Sequence, residues 1–196
     1  MGDGEAPAAK RYVHVYCVAY RDTVLGTVWP GTTGARLIFF DSPAGRYAMP
    51  ETCDFSIVVF QSGGFGATVN LGRGPFNACV SPGLTLVVPP RAATEIDLGD
   101  RARGLILTLD EDRVSALLNV PDAAAELSAS RLYAAALCDP LIATAIQQLW
   151  SASATQNEKA ALFCDAAVAV VFAALARHAR PPARKSRPAA ASARRS

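Results

Sequence analysis

The side chains that most often bind metals or act as nucleophiles and bases are few in this sequence, and they lie far apart. The 196-residue chain has two histidines, His14 and His178, near its two ends. It has five cysteines, none of them in a C-x-x-C pair: Cys17, Cys53, Cys79, Cys138 and Cys164. A catalytic metal site needs about three protein ligands that converge from fixed elements. We therefore expect no metal site and no cofactor, and we interpret the cysteines as reduced, structural thiols.

Motifs for nucleophilic catalysis and phosphate binding are equally weak. The sequence has no G-x-S-x-G motif, and neither histidine has an evident partner. The glycine-rich stretch GGFGATV, from Gly63, precedes a predicted strand and not a helix, so we interpret it as a hairpin turn. Glu95 and Asp97 lie on the same side of a predicted strand, where the solvent-exposed rim of a sheet accounts for both. These residues predict a protein that is not an enzyme.

The composition changes along the chain and indicates a β-rich first half and a helical second half. All 14 glycines lie between Gly2 and Gly104, and alanine dominates from about Ala116 onward. Glycine punctuates turns, whereas alanine favours helix. Nine short runs rich in β-branched and aromatic residues predict strands at 12–20, 23–29, 35–41, 55–61, 66–71, 76–80, 84–89, 94–98 and 102–109. Because no helical period separates these runs, they favour an antiparallel barrel or sandwich.

Helix signals begin where the glycines end. The segment DEDRVSALL predicts a short helix with Asp110 as its N-cap. The Asp139-Pro140 pair predicts the start of a second helix, with a cap followed by a proline in the first turn. A third helix is predicted from near residue 157 to about residue 179. It is apolar enough to need cover on more than one side, either from its own domain or from a second subunit.

Charge and hydropathy indicate the cellular compartment of the chain and the partners it can have. Residues 1–176 carry a net charge of −5 and residues 177–196 carry +7. Prolines and the lack of large apolar side chains predict a flexible basic tail, which offers DNA only nonspecific association with a dissociation constant on the order of 10⁻⁴ to 10⁻⁶ M. The apolar run 160–176 is too short for a membrane span and contains Asp165, so we interpret it as a buried helix. With no apolar signal-peptide core at the N-terminus, we expect a cytoplasmic protein without a membrane partner.

The segment CVSPGLTLVVPPRAATEIDL, residues 79–98, is the most specific pattern in the chain. It predicts a strand, a Pro-Gly turn, an apolar strand, a Pro-Pro break and a returning strand. It resembles the second conserved motif of the cupin barrel, in the version found in sensory domains of AraC-family transcription regulators. The matching residues are Pro82, Gly83, Pro89, Pro90 and Glu95. Leu84 and Thr94 stand where Asp and His are common, so the usual metal-binding histidine of the motif is absent.

The upstream segment RYAMPETCDFSIVVFQSGG resembles the first barrel motif of the same family in layout. Where metal-binding cupins have H-x-H and Glu, this chain has Glu51, Thr52, Cys53 and Asp54. The resemblance therefore implies a cupin barrel without a metal. It extends over residues 24–179, through a D-P-L-I helix to a long apolar helix that ends in Arg-His. In that family a basic linker and two helix-turn-helix units follow, and we expect this chain to lack them.

These features predict an α+β protein, with an antiparallel, cupin-like β-barrel or jelly roll followed by a C-terminal helical hairpin. The predicted parts are a flexible N-terminal arm (1–11), the barrel (12–109), a helical dimerisation region (110–179) and a flexible basic tail (180–196). The resemblance implies the regulatory domain of an AraC-type transcription regulator, which senses a small-molecule effector and forms a homodimer through its C-terminal helices. Such a domain contacts DNA only indirectly, or nonspecifically through the tail.

Two sets of residues follow from this interpretation. Aromatic side chains and one arginine near the barrel strands are candidates to stack on an effector and hydrogen-bond it: Trp29, Arg36, Tyr47, Phe55 and Phe60. Large apolar side chains of the long helix are candidates for the dimer interface: Leu162, Phe163, Val170, Val171 and Leu175. The alternative for the first set is that the aromatic residues fill the core and the arginine lies on the surface.

Two other functions stay open at this level. A small cupin enzyme, such as an isomerase or a dioxygenase, would contain bound iron, manganese or zinc. A structural or heterodimerising fragment would bind no small molecule.

Overall fold

The computed structural model describes residues 11–118, 131–155 and 157–179. The predicted basic tail, and all but the last residue of the predicted N-terminal arm, lie outside the described residues. The described part of the chain contains the strands β1 (Val24–Val28), β2 (Arg36–Ser42), β3 (Gly45–Met49), β4 (Asp54–Phe60), β5 (Phe65–Asn70), β6 (Pro75–Val80), β7 (Leu84–Val88), β8 (Thr94–Leu98), β9 (Ala102–Asp110) and β10 (Leu137–Cys138). Its α-helices are α1 (Tyr12–Ala19), α2 (Glu111–Leu118), α3 (Pro140–Ser153) and α4 (Glu158–Ala179).

The strands form two antiparallel sheets. One has the order β1-β2-β9-β4-β7-β10 and the other has the order β3-β8-β5-β6. The chain passes repeatedly from one sheet to the other, as in a jelly roll. The predicted α+β class, with a jelly roll followed by C-terminal helices, is confirmed. The sheets remain separate within the described residues, so hydrogen bonds do not close them into a barrel.

The largest difference from the predicted elements lies at the N-terminus. Residues 12–20 were predicted as a strand from their β-branched and aromatic content, but residues 12–19 form α1 instead. A helix of eight residues is marginal on its own. Asp54, 42 residues further along, accepts a hydrogen bond from the backbone N–H of Tyr12 at 2.7 Å and so caps the first turn. Tyr12 and Tyr16 are four residues apart and form the buried face of the helix.

Helix α1 lies at the open side of the sandwich, beside one edge strand of each sheet. On the β1 side, Cys17 Sγ contacts Thr27 Oγ1 at 3.9 Å. On the β3 side, the hydroxyl of Tyr20 donates to the carbonyl of Ala48 and accepts from its N–H, both at 2.7 Å. β1 and β3 are edge strands of their sheets. The helix and its following tyrosine therefore bridge the gap that strand pairing would fill in a closed barrel.

The six-stranded sheet buries both of its faces, and side chains alternate between these faces along each strand. Phe40 and Phe60 lie on the face toward the four-stranded sheet, where their rings meet edge to face at 6.1 Å. Phe39 lies on the opposite face and contacts the ring of Trp150, in α3, at 5.3 Å. The core therefore has two parts, one between the sheets and one between the six-stranded sheet and the helices.

Helices α3 and α4 form the predicted C-terminal pair. Asp139 accepts a hydrogen bond from the N–H of Leu141 at 2.8 Å, so it caps α3 as predicted. Asn157 accepts from the N–H of Ala160 at 2.8 Å and caps α4. By length and composition α4 is apolar enough to cross a membrane, with 39% of its most apolar window buried. Core helices of soluble proteins pass the same test.

Candidate functional site

The space between the two sheets is nearly full. Its cavity has a volume of about 40 Å³. Two predicted ligand residues, Tyr47 and Phe60, line it together with Tyr12 and Tyr16 of α1. Small-molecule sites typically have volumes of roughly 300–1,000 Å³. In this conformation the inner cavity therefore accommodates only molecules near the size of water.

The tyrosines of α1 occupy the interior. Tyr12 is 3% exposed and Tyr16 is 6% exposed, and their rings stack with centroids 6.0 Å apart. The ring of Tyr16 also meets the ring of Phe40 at 6.5 Å. Burial raises the pKa of both tyrosine hydroxyls above its ordinary value. Helix α1 thus fills the space that the sequence-based prediction assigned to an effector.

Asp54 of the first barrel motif holds α1 in place. Besides capping Tyr12, the buried Asp54 accepts a hydrogen bond from Arg11 Nη1 at 2.9 Å. Arg11 also pairs with Asp110. The hydrogen bond to Asp54, followed by the one to Asp110, raises the pKa of the Arg11 guanidinium. Asp54 is therefore committed to a structural ion pair between the sandwich and α1.

A metal ion does not fit these positions. Asp54 is engaged by Arg11, and Thr94, at the position of the motif's usual histidine, presents a hydroxyl that lines the inner cavity. No three histidine, cysteine or acidic side chains come together as a metal-binding group anywhere in the described residues. The donor set differs from the nitrogen and carboxylate ligands that transition metals prefer.

The other three predicted ligand residues lie elsewhere. Phe55 is 1% exposed and lies an odd number of positions from Phe60 in β4, so it faces the helix layer as core filling. Its predicted role in lining the inner pocket is wrong, because strand alternation turns it away from that space. Arg36 begins β2, is half-buried and pairs in register with Thr108 of β9. Trp29 follows β1 and is 64% exposed.

A larger groove lies outside the sandwich, between the end of β1 and the turn that joins α3 to α4. It has a volume of about 640 Å³. Trp29 is the one predicted ligand residue that lines this groove. Ser153 at the end of α3, together with Asn157, Glu158 and Cys164 of the α4 side, lines it as well. The groove falls within the size range of small-molecule sites.

A single carboxylate holds the loop after β1 against α4. Asp165 Oδ1 accepts hydrogen bonds from the N–H groups of Thr32 and Thr33 at 2.6 and 3.1 Å. Asp165 Oδ2 accepts from the hydroxyl of Thr32 at 2.6 Å. At Gly31, where φ is +65°, an added Cβ would lie 2.1 Å from Asp165 Oδ1. The one charge in the apolar run of α4 therefore anchors the loop that carries Trp29.

Helix α4 also has an apolar face directed away from the core. We call it the α4 stripe, and it consists of Leu162, Phe163, Ala166, Val170 and Ala173, all of which are exposed. Its large side chains are 73%, 45% and 40% exposed at Leu162, Phe163 and Val170. The spacing of three and four residues places them on one side of the helix. Three of the five predicted dimer residues lie on this stripe.

The two remaining predicted dimer residues are not on the stripe. Val171 is 0% exposed and Leu175 is 1% exposed, because the helical repeat places both on the face that packs against the chain's own core. The prediction that they contact a second subunit is wrong, since a fully buried side chain has no surface left for a partner.

His178, for which the sequence showed no evident partner, has a defined one in the structure. Its Nε2 lies 2.7 Å from Asp139 Oδ2, and Arg177 Nη2 lies 3.7 Å from the same oxygen. The hydrogen bond with His178 lowers the pKa of Asp139 below its ordinary value. This contact joins the end of α4 to the start of α3. Sequence reasoning missed it because 39 residues separate the two side chains.

Two carboxylates of the sandwich strands pair with arginines. Glu95 accepts from Arg46 Nη2 at 2.5 Å, in keeping with the interpretation of a solvated rim. Asp41, which the sequence did not single out, accepts from Arg101 Nε at 2.6 Å and from Arg103 Nη2 at 2.7 Å. These hydrogen bonds lower the pKa of Asp41 to about 2. Both carboxylates therefore have a structural role in these ion pairs.

Several solved structures are similar to part of this chain. The AraC-like transcriptional activator CuxR is similar with a TM-score of 0.54 and 13% identity, over 78% of this chain and 55% of its own. The cupin domain of Schizosaccharomyces pombe Cnp3 has a TM-score of 0.38 and 13% identity, over 50% of this chain and 71% of its own. The EutQ protein of Clostridium difficile has a TM-score of 0.33 and 13% identity, over 39% of this chain and 56% of its own.

No protein-family model and no curated protein matches the sequence. The chain spans a little over half the length of CuxR, and the match extends over 78% of this chain. At 13% identity this likeness concerns the fold. The protein therefore has a mixed α+β, cupin-like jelly-roll fold with a C-terminal helical region, the architecture also found in an AraC-like activator.

Proposed function

We propose that this chain is a regulatory domain of AraC type, which senses a small effector in the cytoplasm and dimerises through α4. The architecture shared with CuxR supports a regulatory role. The absence of a metal-binding group among the described residues, and the structural engagement of Asp54, favour regulation over cupin-type catalysis. Contact with DNA is then indirect, or nonspecific through the basic tail.

The observation that carries this proposal is the α4 stripe. Exposed large apolar side chains cost solvation free energy, and a contiguous row of them on a helix is typical of an interaction surface. The stripe extends for about 17 Å along the helix axis, at about 1.5 Å per residue. Its alanines, Ala166 and Ala173, allow a second helix to approach closely between the larger side chains. A second copy of the same helix offers a matching surface, so we assign the stripe to a homodimer.

The test is the oligomeric state of the purified chain, measured by sedimentation velocity from 1 to 100 µM. We expect a dimer for the native chain. Leu162→Glu should weaken the dimer at least tenfold, because it places a charge in an apolar contact. Val18→Glu is the matched control, since Val18 is 70% exposed against 73% for Leu162 and lies on α1. It should leave the dimer intact.

Two results would contradict the assignment. One is a native chain that stays monomeric at 100 µM. The other is a dimer that Leu162→Glu and Val18→Glu affect equally, because the interface would then lie away from the stripe.

Metal analysis of the same samples is expected to find no stoichiometric iron, manganese or zinc. A full equivalent of any of these would favour the enzyme alternative.

A further inference from the structure

We propose that the groove between β1 and the α3–α4 turn binds a small organic cation, with Trp29 and Glu158 as its recognition residues. The inference deepens the proposed effector-sensing role by naming a site and a ligand class, and in that respect it rests on the proposed function. It moves the site from the interior of the sandwich, where the volume is about 40 Å³, to a groove of about 640 Å³.

The groove persists because the residues that form its floor are small. Gly31, Ala152, Ala160 and Ala161 line it and have no side chain that reaches across the space. The thiol of Cys164 lies at the same floor, and burial raises its pKa. This thiol is therefore a neutral, unreactive lining group. A groove of this kind is a preformed site that binding does not have to open.

Trp29 is the aromatic wall of the groove. Its side chain is 64% exposed, although indoles are usually buried when only packing governs their position. The loop that carries it is anchored by three hydrogen bonds from Thr32 and Thr33 to Asp165. Pro30, next to Trp29, is buried. The indole is therefore presented on a fixed backbone, which limits the entropy lost when a ligand stacks on it.

The charge of the groove selects the ligand. Among the described residues that line the groove, Glu158 is the one charged side chain. The Glu158 carboxylate would repel an anion. It would attract a cation, which is also attracted to the negative face of the indole. The positive end of the α4 dipole opposes a cation, but Asn157 already caps the helix and Glu158 in the first turn offsets the dipole. The combination of one aromatic face and one carboxylate is the chemistry that recognises ammonium groups.

The binding test compares cations with a neutral molecule of the same shape. Choline and benzyltrimethylammonium are titrated into the full chain by calorimetry, and 3,3-dimethyl-1-butanol serves as the uncharged isostere of choline. We expect at least one of the cations to bind with a dissociation constant below 10 mM. The isostere should bind the chain at least tenfold more weakly than choline if choline is the cation bound.

Variants then locate the site. Trp29→Leu should weaken cation binding about two- to thirtyfold, the range expected from loss of a cation–π contact. Glu158→Gln should weaken it to a similar extent. Asp112→Asn is the matched control for Glu158, because Asp112 is an exposed acid in the first turn of α2 and lies outside the groove lining. It should leave the affinity unchanged.

The proposal is wrong if neither cation binds at 10 mM, if choline binds and its isostere binds equally well, or if Trp29→Leu and Glu158→Gln leave the affinity unchanged. Sedimentation of the same samples separates this outcome from a failure of the proposed function. A dimer that binds no cation refutes the groove site alone. A monomer that binds the cation through Trp29 refutes the dimer and leaves the groove site supported.

Discussion

Tyr16 is the side chain that we expect to contribute most to docking α1 between the sheets. It is 6% exposed, and its ring contacts those of Tyr12, Tyr20 and Phe40 at centroid distances of 6.0, 5.3 and 6.5 Å. A buried tyrosine removes roughly 150–250 Å² from water. At about 25 cal/mol per Å² the lower end of that range is worth about 4 kcal/mol. Tyr16→Ala should therefore lower the free energy of unfolding by about 4 kcal/mol, as large-to-small core substitutions of aromatic residues do.

Two matched variants separate the ring from the hydroxyl and from the helix. Tyr16→Phe keeps the ring and removes the hydroxyl, which lies near the side chains of Thr23 and Ser42. It should cost about 1 kcal/mol. Val18→Ala, at a position that is 70% exposed on the same helix, should change the free energy of unfolding by less than about 0.5 kcal/mol.

Urea denaturation followed by circular dichroism measures these free energies, and hydrogen exchange of the α1 amides reports whether the helix stays docked. In the native chain we expect the α1 amides to be protected, and in Tyr16→Ala we expect them to exchange fastest of all the helical amides. The reasoning is refuted if Tyr16→Ala costs no more than Val18→Ala, or if the α1 amides exchange freely in the native chain. Either result would mean that α1 does not plug the sandwich.

Two further predictions concern groups that hold the surface of the fold together. The folded-state pKa of Asp41, about 2, lies below its pKa in the unfolded chain, so its contribution to stability is present above about pH 4 and is lost as the pH falls toward 2. Asp41→Asn should therefore flatten the acid limb of a pH–stability curve in that window. An unchanged limb would contradict the assignment. Gly31 and Gly34 both have positive φ, +65° and +81°, but only Gly31 would place a Cβ against Asp165, whereas nothing lies within 4 Å at Gly34. Gly34→Ala should cost about 1–2 kcal/mol from backbone conformation alone, and Gly31→Ala should cost clearly more by thermal denaturation; equal costs would count against the loop anchor.

Local sequence signals predicted much of this fold. The runs that became β2, β4, β7 and β9 are rich in β-branched and aromatic residues, and such residues pack well on a pleated, buried surface whatever their neighbours are. The starts of α3 and α4 were predictable because their caps, Asp139 and Asn157, lie next to the helices they cap. β3 was missed, since its sequence GRYAM alternates exposed and inner residues over only five positions between turns.

The candidate site was only partly predictable. Tyr47 and Phe60 line the inner cavity, and their role in binding an effector stays a prediction; the occupancy of that space by α1 was not foreseen. Trp29 was selected as an aromatic residue near a strand, and its place in the outer groove depends on Asp165, 133 residues away from Thr32. The sequence predicted that α4 is too apolar to be covered on one side only. Which of its sides faces solvent depends on how it packs on α3, and that is visible only in the structure.

What the amino-acid order settled without further information is the class of most segments and the division into sheets and helices. These properties depend on composition and on neighbours a few positions apart. The helix at the N-terminus, the full interior, the outer groove and the exposed face of α4 came from folding in three dimensions. Each depends on side chains from distant parts of the chain, such as Asp54 with Tyr12 and Asp165 with Thr32, and such pairings satisfy buried polar groups in ways that local propensity does not encode.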